Sequence, residues 1–591
     1  MIAQEPPELG WKHHALATLV FAAVATLICS SVVADPVHIA IGHPSNDVWN
    51  HVWGYWWVDW SLRNGQLPLH TQLLAWPSGG SLWFIDILGA TLTLPIQAIA
   101  GPVAAYNAGI WLNFLLCGVG AYVLGMSVSE RWFGGLAAGV VFMTTPHLLG
   151  QAYNGISETI AAGWLPLAVW AVRRAAHAPT PRNGIIAGVL CGLTSLASWY
   201  YGVFVGMVVV GVVLRGAGRR LGGRWRDPAL PALHALAVGS LAAGAVAAVP
   251  FWLFARSMNA ADALVTRDPG FVWMTLVMHN MTDVLSLVHP GKFYSPNLHD
   301  AFGEDLIVVV YTGMAAWIPG FFVLATPSRK KAHPWVLLAI AFVILSLGPF
   351  LYVGGHYTRV LGGWLPLPFL ALFHWFPLFS RISHAYRFAV GSAMALSVLV
   401  ALAVRAAPKF RVSAGFAALA LSLLRLIESL ALSPAVWPVP AARVVIPEVY
   451  ARVHDGAVLD LPITLAVLAR SRVLVNQIVH HQAVPFGLND PVPRYLYTNH
   501  YTHYILTLER MHISFLPAEL PQLDLAVGQM DLRQTGCRWI VVHRDAYTKE
   551  QAARILPFLD LTARAVDDDG VVRVYDLETE VARQGGPVTD H

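Results

Sequence analysis

GHPSNDVWNHVWGYWWVDWSLRNG, residues 42–65, is the stretch from which the rest of the chain is read. It follows the first apolar segment, carries five tryptophans, and sets Asp47, Asn50 and His51 together near its start. As a helix after Pro44-Ser45, at ~100° per residue, it divides into two faces. Trp49, Trp53, Trp56 and Trp60 gather on one side, with Trp57 on its flank; Asp47, Asn50, His51, Gly54 and Val58 gather on the other. An indole favours the boundary between lipid and water, so the tryptophan face is expected on the membrane. The acidic face then looks into the cavity built by the rest of the chain. Asp47 is its chemical centre, and Asn50 and His51 line the pocket.

The composition agrees with a membrane setting. Of 591 residues, 56% are hydrophobic and 12% charged, and the mean hydropathy is +0.55. A soluble domain is about a quarter charged. The chain reads as a polytopic, α-helical membrane protein with room for a soluble domain. The net charge of +4 is small and the arginines fall in loops, which speaks for topology and against nucleic acid. The four cysteines form no CxxC or Cys/His spacing, so neither a disulfide framework nor a zinc site is expected. Lys12, an apolar run and SSVVAD mimic a signal peptide, but with so many apolar segments behind them they read as an uncleaved first span.

Apolar runs fall at 14–34, 104–126, 132–147, 157–175, 183–198, 199–215, 231–255, 304–326, 334–353, 384–405 and 412–432. That makes about eleven spans of bilayer-crossing length. Basic clusters at Arg173-Arg174, Arg215 to Arg226, Arg329-Lys330-Lys331 and Arg405 to Arg411 share one side if the N-terminus is cytoplasmic. The long loops and everything after about 433 are then extracytoplasmic. Segment 84–101 would reverse that count as a span. It contains Asp86 and Pro95, and reads as a re-entrant or surface-lying helix within the first outer loop, 35–103; an ordinary span is the alternative. Arg425 and Glu428 stand three apart inside a span, spaced to pair.

After the membrane module, 1–433, a proline-punctuated linker covers 434–450. VLDLPI (458–463), RVLVNQIV (472–479), CRWIVVHRD (537–545) and VVRVYDL (571–577) read as strands, with helical patterns near 501–516 and 548–558. Residues 451–591 are therefore expected to form an extracytoplasmic α/β domain.

The chain lacks a Walker loop, GxGxxG, HExxH and GxSxG. That argues against an ATP-driven pump and against a cytoplasmic enzyme using a nucleotide sugar. Polar residues of the outer loops remain. Asp47 could accept a proton from a hydroxyl, or simply cap its helix. Arg359, Arg381 and Arg387 could grip a phosphate by paired hydrogen bonds, although Arg387 could equally snorkel to headgroups. Lys292 and His299, with His289, Asp300, Glu304 and Asp305, form either pocket lining or an ordinary polar loop; His147, Asn154 and Glu158 occupy a short loop.

A first span, Asp47 before a Trp-rich helix, LPLHTQLLAWPSGGSLW (67–83), GPVAAYNAGIWLNFLLCGVGAYVLG (101–125), GWLPLAVWAVRR (163–174), LPLPFLALFHWFPLFSRISHAYRF (365–388), VLDLPI and GCRWIVVHRD follow in order. Together they resemble the YfhO-like bacterial multispan membrane proteins of the GT-C-fold glycosyltransferase superfamily. The resemblance covers nearly the whole chain through loose motifs. It implies an inverting transfer of a sugar from a polyprenyl-phosphate-linked donor to a hydroxyl of a cell-envelope glycan, lipid or protein acceptor, at the outer face of the plasma membrane. Asp47 matches the base of such enzymes, Glu158 is a second acid, and Arg381 and Arg387, less closely Arg359, match the groups that meet the lipid-linked phosphate. The family often pairs two acids where this chain has Asn46-Asp47; the resemblance allows a divalent cation as cofactor. Two further readings stand beside it: a flippase for lipid-linked glycan, and a catalytically silent scaffold whose outer domain binds glycan or partners.

Overall fold

The computed structural model describes residues 10–221, 229–265, 268–289, 306–433, 435–489, 492–510 and 524–578. They form two compact units. The first comprises Met1–Asn64, Phe84–Arg256 and Arg267–Arg443; the second comprises Gly65–Trp83, Ser257–Thr266 and Val444–His591.

The first unit is helical. Among the described residues six helices are long and apolar enough to cross a membrane: Trp11–Ile28 (α1), Leu94–Ser129, Trp132–Asn154, His234–Met258, Ala385–Phe410 and Ala414–Ala431. The expected count was about eleven; of the other expected runs, some are continuous helices such as Pro181–Ala197 and Arg329–Ser346, and some are interrupted. The run expected as one span over 157–175 starts as two short turns, Ser157–Ile160 and Ala161–Gly163, before the helix Trp164–His177 of 14 residues. At ~1.5 Å per residue that helix covers ~21 Å, against a hydrocarbon core of ~30 Å. Segment 84–101 divides likewise into Ile87–Leu92 (α3) and the start of Leu94–Ser129 (α4), which kinks at Gly101 with φ 82°. Neither piece before the kink is long enough to cross alone.

Ala389–Ala406 is buried along nearly all its length, with Ala, Ser and Gly letting neighbours approach closely. Its surroundings include an extended, buried stretch at 306–313 where a span was expected to begin. A buried backbone outside helix or sheet must find its hydrogen bonds elsewhere. Asn154 supplies two of them, donating Nδ2 to Ile307 O and accepting from Ile307 N, each at 2.8 Å. His147 Nδ1 donates to Val309 O at 2.6 Å. The stretch ends at Gly313, and Glu428 accepts from the backbone of Met314 at 2.6 Å while holding Arg425 at 2.9 Å. The Arg425–Glu428 pair thus caps the helix Met314–Phe322.

Residues expected as linker also carry structure: Ala441–Arg443 (β2) runs antiparallel to Ile39–Ile41 (β1).

The second unit holds a four-stranded sheet of Ala457–Leu461 (β3), Cys537–His543 (β4), Arg564–Asp568 (β5) and Val572–Asp576 (β6). Its order is β5-β6-β4-β3, with β3 parallel to β4 and the other pairs antiparallel. Helices His500–Arg510, Leu525–Gln534 and Lys549–Thr562 accompany it. The strand expected at 472–479 is helical instead, as Ser471–Asn476 and Gln477–His480. A run of eight residues, mostly buried, is too short to show the periodicity that separates strand from helix. Strand β5 was not expected; its residues are mostly exposed and polar, so it carries no apolar run.

Candidate functional site

Val48–Arg63 (α2) is helical as expected, but its setting is different. Trp49, Trp53, Trp56 and Trp57 are buried, as are Asn50, His51 and Val58 on the other side. The indole face therefore does not lie on the membrane. A helix apolar all round is a core helix, and indoles stack on one another as readily as they meet lipid. Trp53 and Trp57 stack with ring centroids 5.6 Å apart, and Trp49 Nε1 donates to Pro44 O at 2.7 Å. Gly54 is required: a Cβ there would meet the Phe84 ring at 2.0 Å.

Asp47 stands just before α2 and is half-buried. Its side chain makes no capping bond to the helix, so the cap reading fails. Oδ1 instead accepts from Asn50 Nδ2 at 3.0 Å, and the backbone N–H donates to Asn154 O at 3.1 Å. Asn46 Nδ2 reaches Asn154 Oδ1 at 3.3 Å. The start of α2 is thereby fixed to the end of the helix Pro146–Asn154, four residues ahead of Glu158.

Beside it lies a buried polar chain. Asp86 is 1% exposed; its Oδ1 accepts from Gly89 N at 3.1 Å, and its Oδ2 accepts from Tyr55 OH at 2.9 Å and from Ser157 Oγ. His51 Nδ1 is 2.9 Å from the same Ser157 Oγ, and His51 Nε2 is 3.7 Å from Glu158 Oε2. Glu158 Oε1 accepts from Arg387 Nη1 at 3.2 Å, and the guanidinium lies over the Tyr200 ring at 4.9 Å. Burial pushes the Asp86 carboxyl up to about 6 against the pull of Ser157, His51 and Tyr55, and Tyr55 is pushed well above its usual value, by burial first and then by Asp86.

The sequence-selected residues thus separate. Asp47, Asn50, His51, Glu158 and Arg387 fall in one region, on elements joined by these bonds. His147 and Asn154 serve the backbone of 306–313. Arg359, in a two-residue strand, and Arg381 are exposed, whereas Arg387 is buried and ion-paired and does not snorkel. Lys292 and His299 lie outside the described residues. Sequence reasoning missed Asp86, Ser157, Tyr55 and Tyr200. Asp86 had a signal, as a lone acid in an apolar stretch; a serine or tyrosine has none of that kind. Among the described residues no three His, Cys, Asp or Glu side chains gather as metal ligands would.

No known family profile matches this sequence, and no curated protein matches it. Solved structures do. The arabinofuranosyltransferase AftD from Mycobacteria superposes with a TM-score of 0.53 at 13% identity, over 95% of this chain and 40% of that one. The oligosaccharyltransferase AglB from Archaeoglobus fulgidus, in complex with an inhibitory peptide and a dolichol-phosphate, gives 0.45 at 13% identity over 98% and 75% of the two chains. ArnT from Cupriavidus metallidurans bound to undecaprenyl phosphate gives 0.43 at 14% identity, over 96% and 99%. The likeness to the arabinofuranosyltransferase is one of fold, and this chain spans two fifths of that protein's length.

Proposed function

We propose that this chain is a membrane glycosyltransferase, YfhO-like within the GT-C superfamily. It moves a sugar from a polyprenyl-phosphate-linked donor to a hydroxyl of a cell-envelope acceptor on the extracytoplasmic face. The observation that carries the reading is a half-buried carboxylate, Asp47, at the start of the helix whose His51 meets the buried Glu158–Arg387 pair, in a chain with this fold. Asp47 takes the proton of the acceptor hydroxyl as its oxygen bonds to the anomeric carbon. The bond from that carbon to the phosphate oxygen breaks, and the polyprenyl phosphate leaves with the electron pair. Attack opposite the leaving group inverts the centre. Arg387 uses Nη1 on Glu158, and its buried Nε has no hydrogen-bond partner, so a phosphate oxygen that reached it would supply the acceptor it lacks. Exposed Arg381 and Arg359 are further phosphate donors in this reading. The N-terminus is cytoplasmic and the second unit extracytoplasmic.

The test is Asp47→Asn, assayed in lipid vesicles with a panel of polyprenyl-phosphate sugars and envelope glycans. A general base contributes about 10²–10⁴-fold, and a loss of that size in kcat is expected, with donor binding kept. Wild-type turnover in the variant would remove Asp47 from the chemistry. The silent-scaffold reading draws on one feature: Glu158 is already neutralised by Arg387, which leaves Asp47 as the available acid. Glycan binding by the wild type with no transfer from any donor in the panel would favour it.

A further inference from the structure

We propose that two carboxylates hold His51 as a doubly protonated ring, Glu158 directly and Asp86 through Ser157, which makes Asp86 and Ser157 positioning residues of the site. The argument is one of donors and acceptors. Asp86 Oδ2 accepts two hydroxyl hydrogens, from Tyr55 and from Ser157. The Ser157 hydroxyl hydrogen is spent there, so its lone pair must receive the hydrogen on His51 Nδ1, 2.9 Å away. In a neutral ring that leaves Nε2 bare. Nε2 then faces Glu158 Oε2 at 3.7 Å, an oxygen that is itself buried and has no hydrogen-bond partner. Two lone pairs opposed in a dry site repel each other, so one proton belongs in that gap.

Charge decides on which side the proton resides. Glu158 is already ion-paired with Arg387 at 3.2 Å. His51 meets Glu158 directly and Asp86 through Ser157. With the proton on His51 the cluster sums to zero: Asp86 and Glu158 negative, His51 and Arg387 positive. With a neutral ring it keeps an uncompensated negative charge among groups 1–6% exposed, which is costly. The other neighbours add no cation: the Phe84 ring stands edge-on at 6.0 Å, Tyr55 is neutral, and Asp47 is one turn earlier on the same helix. In the transferase reading, on which only this consequence rests, the positive ring draws negative charge to the start of α2, where Asp47 stands.

The measurement is the nitrogen-15 spectrum of histidine-labelled full-length protein in lipid vesicles near pH 8. His51 is picked out of the 24 histidines by difference from His51→Gln. Both ring nitrogens of wild-type His51 are expected at protonated positions. Ser157→Ala should move Nδ1 to the position of a bare nitrogen, since the remaining ring hydrogen stays on Nε2 against Glu158, and Ser157→Thr, which keeps the hydroxyl, should not. Asp86→Asn should act as Ser157→Ala does; if it does not fold, the two Ser157 variants decide. A neutral ring in the wild type overturns the proposal, and so does a Ser157→Ala spectrum identical to wild type. No substrate is involved, so loss of this proposal and loss of the transferase reading are separately visible.

Discussion

Glu158 is 1% exposed and stands between Arg387 and His51, so its environment is set by two side chains more than by solvent. A buried ion pair is weak evidence for net stability, but breaking one is expensive because a charge is left behind. Arg387→Met should therefore lower stability by about 3–5 kcal/mol, while the double variant Arg387→Met/Glu158→Gln recovers a large part of it. Thermal unfolding of the single and double variants in detergent measures this. Additive losses would mean that the 3.2 Å contact couples nothing. At this scale the sequence was informative about charged residues and silent about their partners. Asp47, His51, Glu158 and Arg387 could be chosen from loop position and residue type. That Glu158 and Arg387 neutralise each other across 229 positions could not, because nothing local encodes the pairing. Asp86 was visible as an acid in an apolar run, and its importance depends on Ser157 and Tyr55, which composition does not mark.

Elements were legible where one periodicity dominates. Strands β3, β4 and β6 are β-branched runs bounded by Gly, Asp or Pro, and α2 shows its helical period in the tryptophans. Legibility fails where a segment is too short to show a period, as at 472–479, or where the backbone is buried without being helical, as at 306–313. In the second case side chains from distant segments replace the helix's own hydrogen bonds, and no window of sequence contains both partners. Gly313 marks where that stretch turns into the helix Met314–Phe322, with φ 97°, a conformation that costs a non-glycine residue dearly. A Cβ at this position would also meet Arg425 Nη1 at 1.7 Å and Glu428 Oε2 at 2.4 Å. Gly313→Ala should thus disrupt the cap that Glu428 places on Met314 and Ala315, at a cost above about 3 kcal/mol. A melting temperature within a degree of wild type would show that this backbone is not held as described.

At the scale of the whole molecule, sequence reasoning divided the chain by order, a membrane module followed by a tail, and the folded units do not follow that order. Gly65–Trp83, from the first long loop, belongs with Val444–His591. Its Trp76 is 7% exposed within the same apolar core as Leu459, Leu461, Ile540 and Val542. Trp76 Nε1 donates to Thr535 O at 3.0 Å, Ala75 N donates to Phe486 O at 3.2 Å, and Gln477 Nε2 donates to Leu73 O at 2.7 Å. The composition of 67–83 reads as a proline- and glycine-bearing loop, and only the fold shows that it completes a core. Residues 444–591 expressed alone should consequently lack part of their interior and unfold without a cooperative transition. Fusing 65–83 to that fragment through a flexible linker should restore one. Within the full chain, Trp76→Ala should cost the second unit about 3–5 kcal/mol, the range for removing a buried aromatic side chain, and leave the helical unit's melting unchanged. Circular dichroism of the two fragments decides between this and a self-sufficient tail: a sharp, reversible melt of 444–591 by itself would show that the first loop is dispensable to that core.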